Sequence, residues 1–285
     1  MNAVATPSHD QPDIARTPVV AGRRFRRVLL WLGSPLTVLF LGFASFNLLT
    51  LVAIDEYQVV TTFSTAELSP VEHVAVTNHT GRIEVVGTST GDARLEIDVT
   101  DGLFRADREE RVDGDTLRAT ASCTLWFTTH CRVDQRLWLP ADLSVEVRGE
   151  HGDVAIDGVA GALRVNGRFG ELNLVDTSGP TTIDHGFGSV TARGLTSTEI
   201  TVSHRFGDTL LSFSEPPDEV RVDSRFGTTT IELPDDGASY RVTGRSTLGD
   251  RRIEVRTDVD SERTIHVDSR FGDVTIRYAS GNSGG

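Results

Sequence analysis

The chain has 285 residues, with 28 basic residues, all of them Arg, against 41 acidic ones, for a formal net charge of −13. That length holds one or two domains. An acidic body argues against nucleic acid as a partner, because phosphates demand a basic face. The charge is unevenly placed: residues 1–54 carry five Arg and two Asp, a net of +3, and the remainder carries −16.

Residues 1–22 are polar, without a hydrophobic period, and read as a disordered cytoplasmic tail. Arg23, Arg24, Arg26 and Arg27 follow, and then an uncharged run from Val28 to Ile54. At 1.5 Å per residue this run would span roughly 40 Å, enough for the ~30 Å hydrocarbon core of a bilayer. Residues 23–54 are therefore expected to form a basic flank and a transmembrane signal anchor, with the bilayer itself as a partner. The Arg cluster before the run and Asp55-Glu56 after it place the N-terminus in the cytoplasm and residues 55–285 outside the cell membrane. A cleaved signal peptide ending near Gly42-Phe43-Ala44 competes with this reading, but the apolar run continues ten residues beyond Ala44.

From Tyr57 the period changes to two: Val74 and Val76, Ile83 and Val85, and Leu95, Ile97 and Val99 alternate with polar residues. This is strand patterning broken by Gly, Asp, Asn and Thr turns. Residues 101–140 are irregular and read as an inserted hairpin or pair of hairpins. They hold the two cysteines of the chain, Cys123 and Cys131, which are the disulfide candidate.

Beyond this, one phrase recurs: Arg168-Phe169-Gly170, Arg205-Phe206-Gly207, Arg225-Phe226-Gly227 and Arg270-Phe271-Gly272, with Gly186-Phe187-Gly188 and Thr247-Leu248-Gly249 as variants. The glycines at 152, 170, 188, 207, 227, 249 and 272 are spaced by 18, 18, 19, 20, 22 and 23 residues. Such a period is the mark of a repeat array. The apolar parity flips at each glycine: Val220, Val222 and Phe226 precede it in one phase, and Ile231 and Leu233 follow in the other. A slip in a continuous strand would throw the core outward, so each unit is expected to be strand, glycine corner, strand. The fold class expected is all-β: a parallel β-helix or β-solenoid of about eight coils over residues 55–285, preceded by the transmembrane helix.

Parity puts Phe169, Phe187, Phe206, Phe226 and Phe271 in the core as an aromatic ladder, rather than on the surface as a ligand-stacking platform. Arg168, Arg205, Arg225 and Arg270 face outward. They either pair with the acids that follow the glycines (Asp153, Glu171, Asp208, Asp250, Asp273) or form a binding stripe for an anionic polymer. The acidity of the body favours pairing. His185 and His204 fall on adjacent units, but two His without a third ligand column are a weak metal signal. No nucleophile elbow, zinc-protease motif, phosphate loop or dinucleotide fingerprint is present. No catalytic residue, cofactor or metal is expected.

The segments Val-Thr-Asn-His-Thr-Gly-Arg-Ile-Glu-Val (76–85), Leu-Trp-Leu-Pro-Ala-Asp-Leu-Ser-Val-Glu-Val (137–147), Gly-Asp-Val-Ala-Ile-Asp-Gly-Val (152–159) and Phe-Gly-Asp-Val-Thr-Ile (271–276) resemble the bacterial DUF4097 β-strand-repeat proteins, an adhesin-like family. The resemblance covers residues 70–278 and implies a non-enzymatic fold without catalytic residues. The Arg-Phe in the corners departs from the family's more usual Ser or Thr before Gly-Asp. The function expected is that of a membrane-anchored cell-envelope protein, an adhesin-like binding module or surface scaffold whose partner is an envelope polymer or a protein. The alternatives are an envelope-sensing regulator and a carbohydrate-active enzyme.

Overall fold

The structure, a computed structural model, describes residues 37–45, 55–68, 70–101, 106–123 and 131–279. The chain divides into two units, Met1–Leu49 and Thr50–Gly285. In the first, residues 37–45 form a helix, α1.

Among its described residues, the second unit is all-β apart from one helical turn. It begins with β1 (Asp55–Phe63), α2 (Thr65–Leu68), β2 (His73–Thr80), β3 (Ile83–Thr88), β4 (Ala93–Asp101), β5 (Ala106–Asp113), β6 (Thr116–Cys123) and β7 (Arg132–Pro140). Seven strand pairs follow, each bent at a glycine. They are β8 and β9 (Ser144–His151, Val154–Asp157), β10 and β11 (Leu163–Phe169, Leu172–Val175), β12 and β13 (Thr181–Phe187, Val190–Leu195), and β14 and β15 (Glu199–Phe206, Thr209–Phe213). The last three are β16 and β17 (Glu219–Phe226, Thr229–Leu233), β18 and β19 (Arg241–Leu248, Arg251–Glu254), and β20 and β21 (Thr264–Phe271, Val274–Tyr278).

Two sheets result. The first has eleven strands in the order β1-β4-β7-β3-β9-β11-β13-β15-β17-β21-β19, and the second has ten in the order β18-β20-β16-β14-β12-β10-β8-β2-β6-β5. Their facing sides carry the alternating Val, Ile and Leu: Val220 and Val222 from β16 and Ile231 and Leu233 from β17 are wholly buried. Each such side chain stabilises the fold by about 1.5–3 kcal/mol.

The expected parallel β-helix or β-solenoid of about eight coils is corrected on two counts. The sheets are mixed, since β1 with β4, β4 with β7 and β5 with β6 pair antiparallel. The two-residue loop Gly114-Asp115 reverses the chain tightly, with Gly114 at φ 65°, and a loop so short joins antiparallel neighbours. The spatial order also departs from chain order, because β20 and β21 lie between the β16/β17 pair and the β18/β19 pair. Residues 101–140, expected as an inserted hairpin or pair of hairpins, contain the antiparallel β5–β6 pair, and β6 pairs with β2 in one sheet and β7 with β3 in the other.

The expected transmembrane helix is corrected as well. Among the described residues no helix is long and apolar enough to cross a membrane. The nine residues of α1 rise about 14 Å, against the ~30 Å a span requires. Among the described residues, the single-pass placement in the cell membrane with a cytoplasmic N-terminus therefore has no helix to rest on. The tail 1–22, the topology residues Arg23, Arg24, Arg26 and Arg27, and residues 46–54 lie outside the described residues.

A candidate binding groove on the second sheet

The corners decide what the second sheet shows to solvent. The glycines at 81, 152, 170, 188, 207, 227, 249 and 272 all have φ between 124° and 146°, a region open to glycine but strained for other residues. A Cβ on Gly207 would overlap the carbonyl oxygen of Gly188, and one on Gly227 that of Gly207. Corners therefore stack backbone on backbone.

Two residues before Phe187, Phe206, Leu248 and Phe271, the last interior place is filled by a polar side chain that binds a corner carbonyl; before Phe169 it is Gly167, and before Phe226 it is Ser224, whose buried hydroxyl has no hydrogen-bond partner among the described residues. The Nε2–H of His185 donates to Gly170 O at 2.9 Å, and that of His204 to Gly188 O at 2.8 Å. Ser246 and Ser269 both donate from Oγ to Gly272 O. With Nε2 the donor, Nδ1 of a neutral ring accepts, and His204 Nδ1 takes the Thr209 hydroxyl at 2.9 Å. Burial lowers the pKa of both His, and the neighbouring His185 lowers that of His204 further. These two rings, 5.4 Å apart, serve backbone carbonyls. Among the described residues, Glu72, His73 and Asp115 also bring ligand atoms within 4.8 Å of one another, all three exposed.

The Phe that follows stays outside in every unit, whichever residue holds that interior place. Phe169, Phe187, Phe206, Phe226 and Phe271 are 40–43 % exposed, which corrects the expectation of a core ladder. The ladder itself forms on the outside. His151, Phe169, Phe187, Phe206, Phe226 and Phe271 stack in succession with centroids 4.7–5.1 Å apart and planes within 13°. Leu248 follows beside Phe271 in register. Ring faces are turned to each other, so solvent meets ring edges. A row of this kind offers an apolar rim, with the slightly positive edge of each ring outward, and no open face on which a ligand could lie flat.

Among the described residues, the expected pairing of Arg168, Arg205, Arg225 and Arg270 with corner acids is not seen, although Asp153 forms an ion pair with Arg82 at 3.5 Å. Asp153, Asp208 and Asp273 instead accept backbone N–H groups from the next strand pair, those of Glu171, Thr228 and Asp250, at 3.0, 2.7 and 2.8 Å. Arg168, Arg205, Arg225 and Arg270 are exposed, and none has an ion pair or hydrogen bond among the described residues. Arg205, Arg225 and Arg270 lie on the adjacent strands β14, β16 and β20 at one register position, about 4.8 Å from strand to strand. In contrast, Arg136 on the first sheet is bonded to Glu84 at 2.8 Å and Arg277 to Glu232 at 2.6 Å.

Two residues before the arginines runs a second outward row, Asp184, Ser203, Asp223 and Asp268. Between the rows lies a groove of about 670 Å³ lined by these residues together with Arg205, Arg225, Arg270 and Arg245. A further hollow of about 550 Å³ shares Asp184 and Arg205 and continues past Arg168 to Arg148. Sequence reasoning singled out the arginines but missed the acidic row. Its signal was present: Asp-Ser-Arg-Phe-Gly occurs identically at 223–227 and 268–272.

Elsewhere, Cys123 and Cys131 are joined by a disulfide. It ties the end of β6, in the second sheet, to the residue before β7, in the first.

Comparison with known proteins finds no matching family model and no matching curated protein. Among solved structures, the chain is similar to a candidate cell adhesion protein from Clostridium sporogenes, with 10 % identity, a TM-score of 0.35, and coverage of 79 % of this chain and 100 % of that one. It is also similar to a candidate lipid binding protein from Parabacteroides distasonis, with 11 % identity, a TM-score of 0.24, and coverage of 79 % and 95 %.

Proposed function

We propose that this chain is a non-catalytic binding module, adhesin-like in kind, whose contact surface is the groove on the outer face of the second sheet. Its partner is an extended polymer or the extended surface of another protein. One observation carries the reading: three guanidinium groups, on Arg205, Arg225 and Arg270, stand in register on adjacent strands, exposed and without partners among the described residues. Like charges held side by side repel, and an arrangement that a bound ligand relieves is a recognition feature. The apolar rim of Phe edges along the same row adds surface that a ligand can dehydrate.

The test is retention of the full chain on immobilised glycans, anionic polymers and protein extracts, compared with the triple variant Arg205→Ala, Arg225→Ala, Arg270→Ala. Loss of hydrogen bonds from charged groups is expected to weaken binding at least about tenfold. Equal retention by both proteins removes the groove as contact surface, and release of cleavage products from any retained polymer makes the chain an enzyme instead.

A further inference from the structure

The groove is not simply basic, and this narrows what it takes. On β16 and β20 the outward sequence is acid then base, Asp223 then Arg225 and Asp268 then Arg270; β14 has Ser203 then Arg205. Asp184 and Asp223 have no ion pair among the described residues, while Asp268 meets Arg245 at 3.9 Å and His266 at 3.5 Å. A polyanion laid along the arginines would run beside a parallel row of carboxylates about two residues away and be repelled by it. A polycation would meet the opposite conflict.

A neutral chain rich in hydroxyls meets neither. Each hydroxyl both donates and accepts, so carboxylates and the Ser203 hydroxyl take its protons while guanidinium groups bind its oxygens. The periodicity agrees. The groove runs across β12, β14, β16, β20 and β18, roughly 19 Å at 4.8 Å per strand. One strand's advance is close to that of one pyranose unit along an extended glycan, so successive sugars would meet a proton-accepting side chain and a guanidinium on each of β14, β16 and β20, where Ser203 and Arg205, Asp223 and Arg225, and Asp268 and Arg270 stand in register. The Phe row fits as well: it runs one residue beyond the arginines, Phe169 and Phe187 line the adjoining hollow, and no exposed ring face demands an aromatic or flat ligand.

We infer that the groove binds a linear, neutral oligosaccharide lying parallel to the Phe ladder, its hydroxyls shared between the Asp223/Asp268 row and the Arg205/Arg225/Arg270 row. The inference rests on the binding-module reading and adds the class of ligand. The experiment is calorimetric titration of the full chain with neutral linear hexasaccharides (cellohexaose, chitohexaose, mannohexaose, xylohexaose) and, separately, with dextran sulfate and polyphosphate. Each is measured at low and high salt on the wild type, on the Asp223→Asn, Asp268→Asn double variant and on the triple Arg variant. Both aspartates project from the outer face of the sheet, and a thermal melt confirms that each variant is folded. At least one neutral hexasaccharide is expected to bind, to be weakened about tenfold by the Asp variant, and to keep its affinity as salt rises. Tighter polyanion binding by the Asp variant, with steep salt dependence and no neutral binder, overturns the ligand class and leaves the groove as a contact surface. Binding of any probe that is indifferent to the Arg variant overturns both, and no binding by any of the probes overturns the ligand class.

Discussion

At a corner the smallest change has the largest consequence. Gly207 combines φ 132° with a neighbouring carbonyl where a Cβ would sit. Gly207→Ala is therefore expected to cost about 3 kcal/mol or more, read as a fall in the urea midpoint with the slope unchanged; a shift within experimental error contradicts the corner geometry. The buried His pair sets a pH dependence. Unfolded, His185 and His204 titrate near 6.5, and folded, burial holds their pKa values below this. Below pH ~6.5 the unfolded chain takes up protons that the folded chain resists, so stability falls as the pH drops; above it both forms are neutral and the effect vanishes. Replacing both with Gln, which can still donate to Gly170 and Gly188, is expected to flatten the unfolding midpoint between pH ~6.5 and ~5. A midpoint that rises on acidification contradicts the assignment.

Among the elements, the external ladder and the disulfide are separable from the core. Phe206 stacks on Phe187 and Phe226, at 4.7 and 4.8 Å. Phe206→Ala removes both contacts and is expected to cost about 2 kcal/mol, although the ring is far from buried. A cost near zero would show the stack to be without consequence. The Cys123–Cys131 bond closes a loop over a separation of eight residues, so replacing both cysteines with Ser is expected to cost about 2.5 kcal/mol on the chain-entropy model, measured as the loss of unfolding free energy. The alternation of Val220, Val222, Ile231 and Leu233 and the repeated glycines made the bent strand pairs legible in the sequence. What misled was carrying period two through Phe226. Ser224 already occupies the last interior place, and Phe226, the final residue of β16, still pairs in register with Phe206 and Phe271 but carries its ring outside. Parity describes a strand and does not describe its end. The mixed pairing was hidden for a related reason: β4 and β7 have the same alternation whether their neighbours run parallel or antiparallel, and only the short Gly114-Asp115 loop carried direction.

For the molecule as a whole, the order of the strands matters more than their number. The C-terminal β20/β21 pair is the neighbour of both β16/β17 and β18/β19, so residues 241–254 are joined to the rest through strands that come after them in the chain. Deleting residues 264–279 is expected to abolish hydrogen-exchange protection over 241–254 too, whereas retained protection there would contradict the strand order. It would also take Arg270 and Asp268 out of the groove, whose two charged rows exist only when β14, β16 and β20 lie side by side. A crystal structure of the full chain with the tightest-binding neutral hexasaccharide tests that arrangement most directly. The expected result is a sugar chain parallel to an exposed Phe ladder, in contact with both Arg225 and Asp223. A ligand bound elsewhere, or Phe rings buried between the sheets, would contradict it.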